Sequence, residues 1–174
     1  MSNKLRNIFV QQTGFTLVEA VVTIGIFAVG MIIAAQVVLT ARRLSDESRD
    51  AVQAANYLEQ GLEAVRSSRD SSWTTVATDG AYHLEPAPGD TSPWNIVAGG
   101  SETIGKFSRT VNISTGRRID SDSSGTVTAG DQLVASGGTL DDPDTKKITT
   151  TVTWQQGSRT VSRSLYTYLT NWQN

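Results

Sequence analysis

One stretch of this chain decides what the rest can be. Phe15 to Leu39 reads FTLVEAVVTIGIFAVGMIIAAQVVL, 25 residues with a single charge, Glu19. As an α-helix it rises roughly 37 Å, enough for a hydrocarbon core about 30 Å thick. The preceding residues carry Lys4 and Arg6 and no acid. A basic flank of this kind stays on the cytoplasmic side, so the rest of the chain is expected to be exported. A secretory signal would have a shorter apolar core and a small-residue cleavage site after it, and Ala34-Ala35-Gln36 is a poor match. A plain anchor explains the length but not Glu19, because an ionised carboxylate inside a spanning helix costs about 2.5–3.5 kcal/mol unless it has a partner.

The six residues Gly14-Phe15-Thr16-Leu17-Val18-Glu19, set between a basic leader and an apolar helix, resemble the class III signal of type IV pilins and type II secretion pseudopilins. The resemblance implies cutting by a prepilin peptidase between Gly14 and Phe15, then N-methylation of the new Phe15 amine by the same peptidase/N-methyltransferase. It also gives Glu19 a use: the carboxylate of one subunit meets the Phe15 amine of its neighbour in a growing filament. The new amine is as costly in an apolar environment as the acid, so pairing them relieves both. An intramolecular pair is possible too, since Phe15 and Glu19 are four residues apart. Many major pilins have a kinking proline about 21 residues into the mature helix. Gln36 stands there in this chain, which leaves Gly25 and Gly30 as the softer points of the helix.

No proline occurs before Pro86. From Ala41 the pattern turns amphipathic, with Ala41, Leu44, Ser48, Ala51, Ala55, Leu58, Leu62 and Val65 at three- and four-residue steps and Val52 widening the face. This predicts one helix from about Thr16 to about Ser67, roughly 75–80 Å long, its apolar N-terminal half protruding. The implied organisation is a cleaved basic leader (1–14), a transmembrane and filament-core helix (15–40), and an amphipathic continuation into a head (41–68). A variable loop region (69–106) and an antiparallel sheet (107–174) follow. In the loop region, Trp73 and Trp94 read as partial-core anchors and His83 as structural. Alternation at Phe107 to Ile113, Ile148 to Trp154 and Val161 to Leu169 predicts three strands, with Gln155-Gln156-Gly157-Ser158 joining the last two. The expected fold class is α+β and pilin-like, a long helix packed by its C-terminal half on an antiparallel sheet.

Residues 120–131, DSDSSGTVTAGD, resemble the twelve-residue calcium loop of EF-hands and dockerin-like modules. Asp120, Asp122 and Ser124 would offer side-chain oxygens, Gly125 the sharp turn, Thr126 a backbone carbonyl, and Thr128 a direct or water-mediated contact; Asp131 would close the loop. Asp and Ser favour solvated turns without any metal. The spacing, and six Asp with no Lys or Arg from Ile119 to Thr145, favour a structural Ca2+ that relieves the repulsion. Asp141-Asp142-Pro143-Asp144 reads as a turn, and Arg117-Arg118 as a surface pair.

A formal net charge of −2 offers no broad basic surface for nucleic acid. There is no cysteine and a single histidine. No G-x-S-x-G, H-E-x-x-H or G-x-x-x-x-G-K-[ST] occurs, so enzymatic function is not expected. The expected role is a structural subunit of a filament: a type IV pilin, minor pilin or pseudopilin. The expected partners are the lipid bilayer before assembly, other pilin subunits, the peptidase and a membrane assembly platform. Lipid and filament core are similarly apolar, so the resemblance assigns the work of extraction to the platform's ATPase. The expected location is the cytoplasmic (inner) membrane with the head exported, then an extracellular or periplasmic filament. The alternative is a membrane-anchored calcium-binding surface domain that never polymerises.

Overall fold

The computed structural model describes residues 14, 16–87 and 94–172. Residues 1–13 of the proposed leader and Phe15 therefore lie outside the described residues, as do Pro88, Gly89 and Asp90 of the loop region. Two compact units are present, divided after Asp46.

In the first unit every described residue from Leu17 to Asp46 belongs to helix α1, which as an element runs Leu17–Ser71. The stretch contains no proline, so no residue withholds its N–H from the i to i−4 ladder. The large apolar side chains from Leu17 to Leu39 are 52–81% exposed, and the mean hydropathy of this stretch reaches 2.5. It is long and apolar enough to cross a membrane.

The second unit is the head. Its portion of α1 is followed by a 3-10 turn (Trp73–Thr75) and by β1 (Gly80–Pro86), β2 (Trp94–Ala98), β3 (Glu102–Ile104), β4 (Phe107–Ile119), β5 (Gln132–Val134), β6 (Leu140–Gln156) and β7 (Arg159–Thr170). Among the described residues these strands form one antiparallel sheet of order β2-β1-β4-β6-β7, with β3 and β5 also paired to β4. The architecture is α+β and pilin-like: a long N-terminal helix and an antiparallel sheet.

The strand alternation has a simple cause. Val111 and Ile113 of β4, Ile148 and Val152 of β6 and Leu169 of β7 are buried, while their immediate neighbours in each strand are more exposed. A side-chain period of two puts these residues on one face. That face packs against Leu62, Ala64 and Val65 of α1, with Val76, Tyr82 and Leu84 completing the cluster. Trp73 and Trp94 pack on it, partly buried. A second cluster joins Ala54 and Leu58 to Phe107, Val152 and Trp154. Gly157 (φ +61°) makes the tight β6–β7 turn.

The buried stripe of α1 differs from the predicted one. Leu58, Leu62 and Val65 belong to it, but Ala51, Val52 and Ala55 are exposed, as are Ala41, Leu44 and Ser48. Asp50, Ala54, Gly61, Ala64 and Ser68 take their places. Small residues mark the line where the sheet comes closest, and a count of large apolar side chains does not see them. The 69–106 segment also holds three strands, where the sequence suggested only a loop. Asp141 to Asp144 is no turn either; it lies in β6. Lys146 pairs with Thr115 and Asp142 with Gly116, so Pro143, Asp144 and Thr145 bulge out between them. Proline is tolerated at a bulge because its missing N–H has no ladder partner to lose.

Several buried polar groups fix the head. Arg109 is 1% exposed, donates to the Glu102 carboxylate and to the Tyr57 carbonyl, and stands over the Trp94 ring. It thereby ties α1 to β3 and β4 through charge-assisted bonds that a neutral side chain would not make. Arg118 donates to Asp142 at 2.7 Å and to the Asp131 carbonyl at 2.8 Å. The Arg117-Arg118 pair is therefore not simply a surface feature: Arg118 turns inward and holds the end of the acidic segment.

Candidate functional site

The start of α1 is built from three residues. Thr16 precedes the helix, and its Oγ1 accepts the backbone N–H of Glu19 at 3.3 Å. Its carbonyl accepts the Ala20 N–H at 3.1 Å. This is the first half of a capping box, in which a Thr at the N-cap satisfies the N–H three residues on and an acid occupies that third position. Glu19 is therefore also the acid of the first turn, where the positive end of the helix dipole favours an anion. Helical side chains lean toward the N-terminus, which directs the Glu19 carboxylate toward the Phe15 side of the helix. Gly14 is exposed, and among the described residues, its chain neighbours aside, nothing lies within 4 Å of where a Cβ would sit. Phe15 is outside the described residues. Sequence reading missed the role of Thr16, although T-x-x-E ahead of an apolar run was there to be read.

The acidic loop follows β4. One oxygen each from Asp120, Asp122 and Asp131 gather within 4.8 Å of one another. The three carboxylates could hold a metal ion. Backbone donors shape this cluster. Asp120 accepts the Ser124 N–H at 3.0 Å and the Gly125 N–H at 2.9 Å, and Asp122 also accepts the Ser124 N–H at 3.0 Å. Asp131, which is buried, accepts the N–H of Ser121 at 2.9 Å on one oxygen and that of Thr128 at 2.7 Å on the other. Gly125 has φ +71°, as the sharp turn requires.

Hydrogen bonds from Ser124 hold the Asp122 carboxyl below its ordinary range. The N–H groups of Ser121 and then Thr128 do the same for Asp131. These acids thus stay ionised with lone pairs to spare. The other candidate ligands divide. The Thr128 hydroxyl joins the cluster, 3.1 Å from an Asp131 oxygen and 3.4 Å from one of Asp122. The Ser124 hydroxyl instead donates to the Thr126 carbonyl at 2.9 Å, so these two satisfy each other.

Residues 10–35 match the prokaryotic N-terminal methylation motif. The chain carries a type IV pilin-like prepilin signal. No curated protein and no solved structure matches it. The prepilin signal and the single apolar helix that follows it together fit an inner-membrane-anchored, type IV pilin-like protein. The motif's length covers the capped start of α1 and most of its exposed apolar stretch, and stops well short of the acidic loop.

Proposed function

We propose that this protein is a structural subunit of a type IV pilus or secretion pseudopilus. A prepilin peptidase cuts between Gly14 and Phe15 and methylates the Phe15 amine. Subunits then wait in the inner membrane with the head exported, and an assembly platform extracts them. The single supporting observation is the prepilin signal running directly into a helix whose apolar side chains are left exposed by the described residues of its own unit. Apolar surface on that scale is stable in lipid or against other copies of itself, not in water. Mass spectrometry of the protein from its native cell tests the processing step. A mature chain starting at methylated Phe15 is expected, and recovery with Met1 or Ser2 still attached would refute it. Electron microscopy with an antibody to the head then tests polymerisation.

The acidic loop has a second reading, as a structural calcium site. Three carboxylates brought together on backbone donors favour it. Asp120, Asp122 and Asp131 would supply charge and Thr128 a neutral oxygen; Ser124 and Thr126 would have to give up their mutual bond to join. A closing Asp is shorter than the Glu of EF-hand loops, so affinity in the extracellular range of about 10⁻⁴–10⁻³ M is expected. Calcium at about 10 mM should then raise the melting temperature of the full chain in neutral detergent by about 4–10 °C. Asp120→Ala with Asp122→Ala should remove the gain. An unchanged melting temperature in the unmutated chain would leave the loop as a solvated turn.

A further inference from the structure

His83 is the chain's one histidine. It projects half-buried from β1, and both of its ring nitrogens face acceptors. Nδ1 meets the carbonyl of Gly99, and Nε2 stands 3.1 Å from Oε1 of Glu85. A neutral imidazole has one N–H, so it serves one of these oxygens and turns a lone pair on the other. The imidazolium donates to both.

The position of the ring gives this chemistry a structural consequence. Gly99 and Gly100 follow β2 with φ +85° and +72° and lead to β3. This left-handed link is the kind that only glycine adopts without strain. Its attachment to β1 consists of the Gly99 N–H to the Ala81 carbonyl at 2.7 Å and the His83 ring to the Gly99 carbonyl. β1 itself meets β4 over three residue pairs, Gly80–Ile113 to Tyr82–Val111. The β1–β2 hairpin therefore rests on a short ladder, and the ring closes its open end. The acids facing the ring are Glu85 on β1 and Glu102 on β3, the latter paired to Arg109.

We propose that His83 is a pH-dependent latch: as imidazolium it donates at once to the Gly99 carbonyl and to Glu85, and on losing its proton it keeps a donor for only one of them, which loosens the Gly99–Gly100 link on β1. The Gly99 carbonyl and then Glu85 raise the histidine above its ordinary pKa of 6.5. A folded-state value above the unfolded one means that the latch is fully engaged below about 6.5 and is lost as pH rises through the folded-state value. This inference does not depend on filament assembly.

The test uses the full chain in neutral detergent with ¹³C-labelled histidine, whose single resonance reports one titration. Its midpoint should lie above 6.5 and move down in Glu85→Gln. Amide exchange of residues 99–104, corrected for its intrinsic pH dependence, should accelerate across that midpoint. The gain should be up to about tenfold for each unit by which the midpoint exceeds the unfolded value. His83→Gln should abolish the step. A midpoint at or below 6.5, exchange that ignores the midpoint, or a step that survives His83→Gln would each overturn the latch.

Discussion

Glu19→Ala is expected to leave cleavage between Gly14 and Phe15 near the wild-type level and to lower filament yield by about a hundredfold or more. Breaking a buried charge pair by removing one partner costs about 3–5 kcal/mol, because the other charge stays buried without compensation. On the proposed assembly, the stranded group would be the methylated amine of Phe15. The structure adds a complication that the charge argument alone does not contain. Glu19 is also the third residue of a cap whose Thr16 hydroxyl accepts its backbone N–H, so alanine disturbs the helix start as well as the pair. Glu19→Gln separates the two roles. Glutamine suits the same position of a capping box, but it carries no charge. If pairing with a terminal amine drives assembly, Gln and Ala fail alike. If Gln assembles as wild type and Ala does not, the residue acts through the cap and the charge pair is excluded. Thr16→Ala completes the set: it should fray the first turn at a cost of about 1 kcal/mol while leaving the carboxylate in place. Filament yield by shearing and quantitative blotting, with N-terminal mass spectrometry of the same cells, reads all three variants.

How much of this was legible in the residues depends on the period of the pattern that carries it. The apolar run of Leu17 to Leu39 and the alternation of β4, β6 and β7 are strong because one residue type repeats at one interval, and they yielded the helix and the three long strands. β1, β2 and β3 were read as loop. Their apolar positions are few and are interleaved with Gly, Pro and charged residues, as in His83-Leu84-Glu85-Pro86. Pairing with β4, or for β2 with β1, not local preference, makes them strands. The line of burial on α1 was misplaced for a related reason. Gly61 and Ser68 carry no hydrophobic signal, yet both are buried, and at Gly61 the helix backbone lies close against Thr150 of β6. In the acidic loop, spacing brought the three aspartates together correctly. Which hydroxyls join them depends on backbone turns, and the Ser124–Thr126 bond is invisible in a one-dimensional pattern. Arg118 shows the same limit from the other side. A basic pair reads as surface until Asp142 and the Asp131 carbonyl are found beside one of its members.

The contact between Gly61 and Thr150 should be the least forgiving point of the head. A Cβ added at Gly61 would lie 2.6 Å from Thr150 Cγ2 and 2.8 Å from its Oγ1. Thr150 has no room to turn away, because it is fully buried in the middle of β6, paired with Val111 on one side and Leu165 on the other. Among the described residues its hydroxyl has no hydrogen-bond partner, so the crowding is not relieved by a bond that could be remade. Considered on its own, a helical glycine invites replacement, since alanine is the better helix former by about 1 kcal/mol. Packing should reverse that sign. Gly61→Val has to push α1 off β6 and is expected to cost about 3 kcal/mol, lowering the melting temperature of the head by about 6–12 °C. Gly61→Ala should destabilise less, by the overpacking cost minus its gain in propensity. The decisive measurement is the pair: Thr150→Ala removes the two atoms that the new methyl meets most closely, so Gly61→Ala with Thr150→Ala should be more stable than the two single changes add up to. Neighbours that share one space couple by about 0.5–3 kcal/mol in such a cycle, whereas independent sites add. A stabilising Gly61→Ala with no coupling would place the helix further from the sheet than the core described here requires. A positive coupling would identify the glycine as the residue that lets the second half of α1 seat against β6, and so as the residue on which the placement of every other side chain in the core depends.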